Sequence, residues 1–424
     1  MMIIANESSV SIPVEGPLYL PFYNIWLQNV YTVSAPFELD PFQIRAQSTS
    51  GSPVILGKSA FVGFMNESGG RYVYDGAGRL DVLLEPGQEL YVETGCDPWE
   101  AWSRYNAQLL GVGEAQPKPA FWSDLEYCTW VEQKKIGFSQ GLGYTGALDH
   151  KFVEEYVRRI DRLGLPRGKF TIDDGWAIDV DSSGRKLFGD WEIDRAKFPK
   201  LEQTVRFLTE EGFTPGLWFA AGFITPNSQL AKQHPDWVGE NFQGPSEIPK
   251  PSERYFLTPC KEVRQHYIGL FAPFVQMGVK KFKLDMYYEN KQIMKELLQL
   301  SYEAIKQLDP EAEVEIHVPD IFVSRFGDTI RTNDVLIKPE FDWRGTTEEH
   351  YRVCRFSSPD KIINLDHIGS NNQDVPEELF MEHWSMQKEY EGYPVISLLP
   401  DHFSAAACSR FVEELKAKHA ALRS

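Results

Sequence analysis

The sequence predicts an α/β chain, a (β/α)8 TIM barrel preceded by a small β-sandwich. Three observations carry this. From residue 125 onward, eight strand-like runs alternate with helix-like ones. No GxGxxG turn follows the first of these strands, which disfavours a doubly wound sheet. The first 115 residues instead hold short β-rich pieces such as SPVILGKSAFVGFM and LDVLLEPGQELYVETG, broken by Gly, Pro, Ser and Asp turns. The expected domains are 1–115, the β-sandwich, and 116–424, the barrel, joined by the Gly- and Pro-containing run GVGEAQPKPAFW at 111–122.

The candidate barrel strands are 125–131, 169–174, 214–219, 280–285, 314–318, 328–334, 361–366 and 393–399. The clearest helix is NKQIMKELLQLSYEAIKQL (290–308), with Ile293, Leu297, Leu300 and Ile305 near one face. Runs 150–164 and 409–424 repeat that pattern, and the long interval 220–278 is expected to form an extended loop over the barrel mouth.

Composition narrows the function. With 61 acidic against 43 basic residues the net charge is −18, so the chain would repel a nucleic-acid backbone or an anionic membrane. No nucleic-acid and no membrane partner is expected; a homo-oligomer stays open. The five cysteines, Cys96, Cys128, Cys260, Cys354 and Cys408, include no CxxC pair, which suggests neither a disulfide framework nor a zinc site. The first residues, MMIIANESSVSIPVEG, make a poor secretory signal, and a cytoplasmic setting is expected.

In such a barrel the chemistry belongs at the C-terminal strand ends. Those ends carry Cys128 and Trp130; Asp173, Asp174 and Trp176; Trp218; Lys283 and Asp285; His317; Arg331 and Asp334; and Asp366 with His367. Carboxylates accept the hydroxyls of a sugar and indoles stack on its apolar face, while glycoside cleavage needs two acids. In KKFKLDMYYE (280–289), Phe282, Leu284 and Met286 share one strand face and Lys283 and Asp285 the other. A lysine beside Asp285 would keep it ionised, as a nucleophile requires. Any one of these residues has a plainer explanation, because aspartates cap helices and tryptophans fill cores. Their convergence on one rim favours a site.

LEYCTW (125–130), FTIDDGW (170–176), the stretch 191–219, HPDW (234–237), FKLDM (282–286) and DTIRTNDV (328–335) together resemble the α-galactosidase-type retaining glycoside hydrolases. That group includes melibiase and raffinose-synthase-like enzymes, with α-glucosidases more distant. The resemblance implies a retaining α-glycosidase with Asp285 as nucleophile and Asp334 as general acid/base. It further implies that Asp173 and Asp174 grip sugar hydroxyls, that Arg331 holds one beside the nucleophile, and that Lys283 and Trp218 line the wall. Trp130 joins the substrate-binding set, and His317 and Trp176 are expected in an altered sugar pocket. Two departures bear on which sugar is taken: AAGFI (220–224) stands where many relatives place an acidic residue, and EIHVPDIFVS (315–324) replaces a Gly- or Cys-rich segment. The expected partner is a glycoside or oligosaccharide, and no cofactor and no metal are expected. A transglycosidase or α-glucosidase with the same pair, a metal-dependent barrel hydrolase or isomerase using Asp173, Asp174, Asp285, His317, Asp366 and His367, and a silent sugar-binding protein remain open alternatives.

Overall fold

A computed structural model describes residues 1–5, 7–21, 32–40, 53–67, 70–111, 117–241, 254–286, 291–369 and 371–423. All eight expected barrel strands are present. Glu126–Cys128, Lys169–Ile172, Thr214–Phe219, Lys281–Leu284, Glu313–Ile316, Thr329–Arg331, Ile362–His367 and Tyr393–Ile396 pair in chain order into a closed parallel barrel. Closure is made by the last strand pairing with the first, Glu126 opposite Val395.

Each helix follows from its local sequence. His150–Leu163 starts on Asp149, whose side chain accepts from the Phe152 N–H at 2.7 Å, and stops at Gly164 in the left-handed region (φ 62°). Phe152, Val153, Tyr156, Val157 and Ile160 give it one buried stripe. In Lys291–Leu308 the buried stripe runs through Met294, Leu297, Leu298, Ser301 and Ile305, leaving Ile293 and Leu300 half-buried. Leu297 and Ile305 lie on the buried face as expected, while Ile293 and Leu300 flank it.

The interior of the barrel is built largely from charges. Inward-facing Lys169 meets Glu313 at 3.0 Å and donates to the Trp122 carbonyl at 2.7 Å. One layer up, Lys281 bridges Glu126 and Glu315, while Thr171 Oγ1 donates to Glu126 at 2.6 Å and Asn364 Nδ2 to Glu315 at 2.7 Å. Gly216 faces the same layer; a Cβ there would lie 2.7 Å from Thr171 Oγ1 and 3.1 Å from Lys281 Cβ. Removing Lys281 leaves two carboxylates buried side by side. Lys281→Met is therefore expected to cost about 3–5 kcal/mol of stability, read as a lowered denaturant midpoint; an unchanged midpoint would contradict the pairing.

The N-terminal region is a two-sheet unit. Six strands run in the order Met2–Ala5, Glu89–Thr94, Ala60–Phe64, Val54–Leu56, Leu18–Tyr19 and Thr32–Val33; the second sheet orders Ser9–Pro13, Arg79–Leu84, Gly70–Tyr74 and Phe37–Leu39. Ile12, Leu18, Val62, Phe64, Tyr72, Leu80 and Val82 fill the space between them. The other face of the larger sheet, through Phe61 and Tyr91, packs on helix Pro98–Leu110 and on Ile321 and Phe322 of the barrel. That helix was not anticipated, although Asp97 caps it and Pro98 opens it. Asn106 Nδ2 donates to the Phe356 carbonyl at 2.6 Å, which ties the helix to the barrel. Of the expected linker 111–122, residues 112–116 lie outside the described residues.

The interval 220–278 is more ordered than expected. It holds a three-stranded sheet (Phe223–Ile224, Tyr255–Leu257, Val238–Asn241) and the helix Lys261–Met277, with 242–253 outside the described residues. No helix among the described residues is long and apolar enough to cross a membrane.

Candidate active site

Alternation along the fourth barrel strand puts Lys281, Lys283 and Asp285 on the inner face at rising height, and Phe282 and Leu284 outside among the helices. At the top of this stack Asp285 accepts three hydrogen bonds, with His317 nearby. Trp218 Nε1 reaches its Oδ2 at 3.0 Å; Arg331 Nη2 and the Met286 N–H reach Oδ1 at 3.0 and 2.8 Å; His317 Nε2 lies 3.6 Å away. Burial opposes ionisation of Asp285. The Arg331 guanidinium first, with His317, Lys283 and the Trp218 N–H, outweighs it and holds the carboxyl well below the usual range. Burial pushes His317 itself down to about 3, so that ring is neutral at pH 7.

Lys283 helps keep Asp285 ionised, as expected, but its direct partner is another carboxylate. Its ammonium donates to Asp173 Oδ2 at 2.7 Å, and Cys128 Sγ contacts the same oxygen at 3.1 Å. Its effect on Asp285 is third in order, behind Arg331 and His317. The residue closest in charge to Asp285 is 46 positions away in sequence, and alternation along one strand cannot reveal it.

Arg331 hydrogen-bonds three carboxylates among the described residues, with Glu315 at 3.8 Å as a more distant fourth. Besides Asp285, its Nη1 reaches Asp366 Oδ2 at 3.0 Å and Asp334 Oδ1 at 3.4 Å. Arg331, expected to hold a sugar hydroxyl beside the nucleophile, is also a clamp between acids. Asp334 also accepts from Asn371 Nδ2 at 2.9 Å. Burial raises the Asp334 pKa, the neighbouring Asp366 charge adds to this, and Arg331 opposes both. The two carboxyls on one guanidinium are therefore shifted in opposite directions. Asp334, Asp366 and His367 have donor atoms within 4.8 Å of one another, a spacing a cation could use. With Arg331 already bonded to both carboxylates, the positive charge of that cluster is supplied by the guanidinium.

Three site positions carry left-handed backbone on residues other than glycine: Met286 (φ 66°), Asn333 (φ 81°) and Asp366 (φ 60°). Such conformations cost of order 1–3 kcal/mol and persist where the surroundings over-determine them. Each stands beside, or is, a carboxylate of the Arg331 cluster.

The other anticipated residues divide. Asp173 lies at the wall with Lys283, and Asp174 follows it, its N–H donating to Asp173 Oδ1 at 2.8 Å while burial pushes its own carboxyl up to about 6. Trp218 faces Asp285. Trp130 is half-buried at the start of helix Trp130–Ser139, its Nε1 on Asn371 Oδ1 at 2.6 Å. Trp176 is placed elsewhere: it is fully buried, donates to the Trp218 carbonyl at 2.9 Å, and packs against Phe219 and Phe274. The expectation of Trp176 in the pocket is thereby corrected to a core role. The sequence reading left out Asn371, whose contacts come from two other segments, and Trp191, which packs edge-on to Trp218 at 5.9 Å. Asp366 had been noted at its strand end without a part in the catalytic pair.

Known proteins resemble parts of this chain and its fold. A Melibiase family model matches residues 147–268. Alpha-galactosidase 1 of Pediococcus pentosaceus is 36% identical over 102 residues, 24% of this chain and 13% of that protein. An alpha-galactosidase of Escherichia coli is 26% identical over 265 residues, 61% of this chain and 35% of its own length. The matches thus span well under half of these relatives. An alpha-galactosidase from Thermus thermophilus, solved with p-nitrophenyl alpha-D-galactopyranoside, superposes with a TM-score of 0.69 at 18% identity, covering 97% of this chain and 91% of the other. The alpha-galactosidase AgaB from Geobacillus stearothermophilus gives 0.65 at 14% identity, over 99% and 62%. The segment 147–268 is thus similar to the α-galactosidase-type glycoside hydrolases, and the chain shares the fold of the solved ones.

Proposed function

We propose that the chain is a retaining α-glycosidase acting on terminal α-galactosides. Asp285 attacks the anomeric carbon while Asp334 protonates the departing oxygen. Asp334, now a base, then activates the water that releases the sugar from Asp285. The observation that carries this is geometric: one guanidinium, Arg331, reaches both Asp285 at 3.0 Å and Asp334 at 3.4 Å, with the Asp285 pKa lowered and the Asp334 pKa raised. Trp218 and Arg331 fix the attacking oxygens, and Lys283 with Asp173 and Asp174 offers charged partners for ring hydroxyls. The galactose preference is supported by the related α-galactosidases, among them structures solved with stachyose and raffinose.

The test is a panel of aryl α-glycosides (galacto, gluco, N-acetylgalactosamino) followed by proton NMR. The α-galactoside is expected to be the best substrate, and the first sugar released is expected to be the α anomer. A β anomer appearing first would make the enzyme inverting, and no turnover of any α-glycoside would overturn the reading.

A further inference from the structure

We propose that Lys134 and Asn371 position the acid/base carboxyl: the Lys134 ammonium polarises the Asn371 amide, whose NH2 group holds Asp334 Oδ2 and leaves Oδ1 to give up the proton. This role rests on the glycosidase reading above. Asn371 Oδ1 accepts from Trp130 Nε1 and from Lys134 Nζ, each at 2.6 Å. With two donors on that oxygen the amide can turn only its NH2 group to Asp334, and Nδ2 reaches Oδ2 at 2.9 Å. Lys134 Nζ also donates to the Asn371 carbonyl at 2.6 Å, and Lys135 Nζ to the Gln373 carbonyl at 3.0 Å. The segment after the seventh barrel strand is thus stapled to helix Trp130–Ser139, which follows the first. Asp334 Oδ1, by contrast, has only the 3.4 Å contact with Arg331 among the described residues.

Lys134 is buried, and among the described residues its ammonium makes no direct ion pair; it sits on Asn371 and lies 5.1 Å over the Trp130 ring and 5.9 Å over Tyr144. A buried ammonium without a counter-charge is costly. Burial lowers its pKa, and the charge of Asp334 opposes this first, ahead of Asp173 and Asp374. The carboxylate that Lys134 answers to is therefore Asp334, one amide away. Asp334 is also faced by Asp366, Arg331, His367 and Asp285. In the first step the proton passes from Asp334 Oδ1 to the glycosidic oxygen as the bond to the anomeric carbon breaks. The leaving group departs as a neutral alcohol, and Asp285 bonds to that carbon. The negative charge left on Asp334 then strengthens its hydrogen bond to an amide that the ammonium has already polarised.

Methyl α-galactoside needs that proton to depart, whereas α-galactosyl fluoride hardly does. In Lys134→Met, which keeps an unbranched chain over Trp130, the ratio of kcat/KM for the methyl glycoside to that for the fluoride is expected to fall about tenfold. Removing the cation disfavours the carboxylate form of Asp334, so its pKa rises. The basic limb of activity is then expected to move up by about half a pH unit or more. Asn371→Ala, which removes the amide between the two, is expected to act in the same direction on both readouts. A merely structural role would lower both substrates together and leave the limb in place. An unchanged ratio or an unmoved limb in both variants overturns the inference. If the wild type hydrolyses no α-glycoside, the catalytic reading fails by itself, and titration of Asp334 decides the inference. Its carboxyl carbon resonance, identified by its loss in Asp334→Asn, must then titrate at higher pH in Lys134→Met than in the wild type; equal midpoints reject the pairing.

Discussion

Asp285→Asn is expected to lower kcat on p-nitrophenyl α-galactoside by about 10⁴-fold or more, which is about 5.4 kcal/mol of barrier. The carboxamide keeps the shape of the side chain and can still accept from Trp218 Nε1, so the barrel should fold. What it loses is the anion that forms the glycosyl ester. Arg331 remains paired with Asp366 and Asp334, which limits the electrostatic cost of the substitution. The chemical signature is rescue: in Asp285→Gly, added azide should attack the anomeric carbon from the vacated face and yield the β-glycosyl azide. An Asp285→Asn variant retaining a tenth of wild-type activity would exclude Asp285 as the nucleophile.

Asp334→Ala is expected to lower kcat/KM by about 10²–10⁴-fold for substrates whose leaving group needs a proton, and far less for α-galactosyl fluoride. Its pH dependence follows from the direction of the shifts. Asp285 must be ionised, and its depressed pKa places the acidic limb below the ordinary carboxylate range. Asp334 must be protonated to act as acid; burial, with the Asp366 charge, raises its pKa above the ordinary value. Activity therefore falls as pH rises through the raised Asp334 pKa, and this basic limb should vanish in Asp334→Ala. A limb that persists unchanged in the variant would assign it to another group.

Much of this site can be read from local pattern. FKLDM alternates apolar and charged residues, and a strand with that period must send Lys283 and Asp285 inward together. TIRTND likewise delivers Arg331 and Asp334 to the mouth from one strand end, three residues apart. Tryptophans were harder. Trp176 and Trp218 both stand near strand ends, yet Trp218 donates to Asp285 while Trp176 donates to the Trp218 backbone and disappears into the core. Which way an indole turns depends on loop path and on neighbouring rings such as Phe219, Phe274 and Trp191, none of which periodicity addresses.

By itself the sequence determined the order and number of the barrel strands, the faces that point inward, and the carboxylates that reach the rim. These are consequences of period-2 and period-3.6 patterns, which act within a few residues. Only the tertiary structure decided who pairs with whom. Lys283 went to Asp173, 110 positions away, Lys281 to Glu126, 155 positions away, and Arg331 to Asp285, Asp366 and Asp334 at once. Barrel closure sets those partners, because it brings inward residues of non-adjacent strands to the same height. A buried charge is stable only beside its counter-charge, so the closed barrel, rather than any one strand, gave the site its electrostatics.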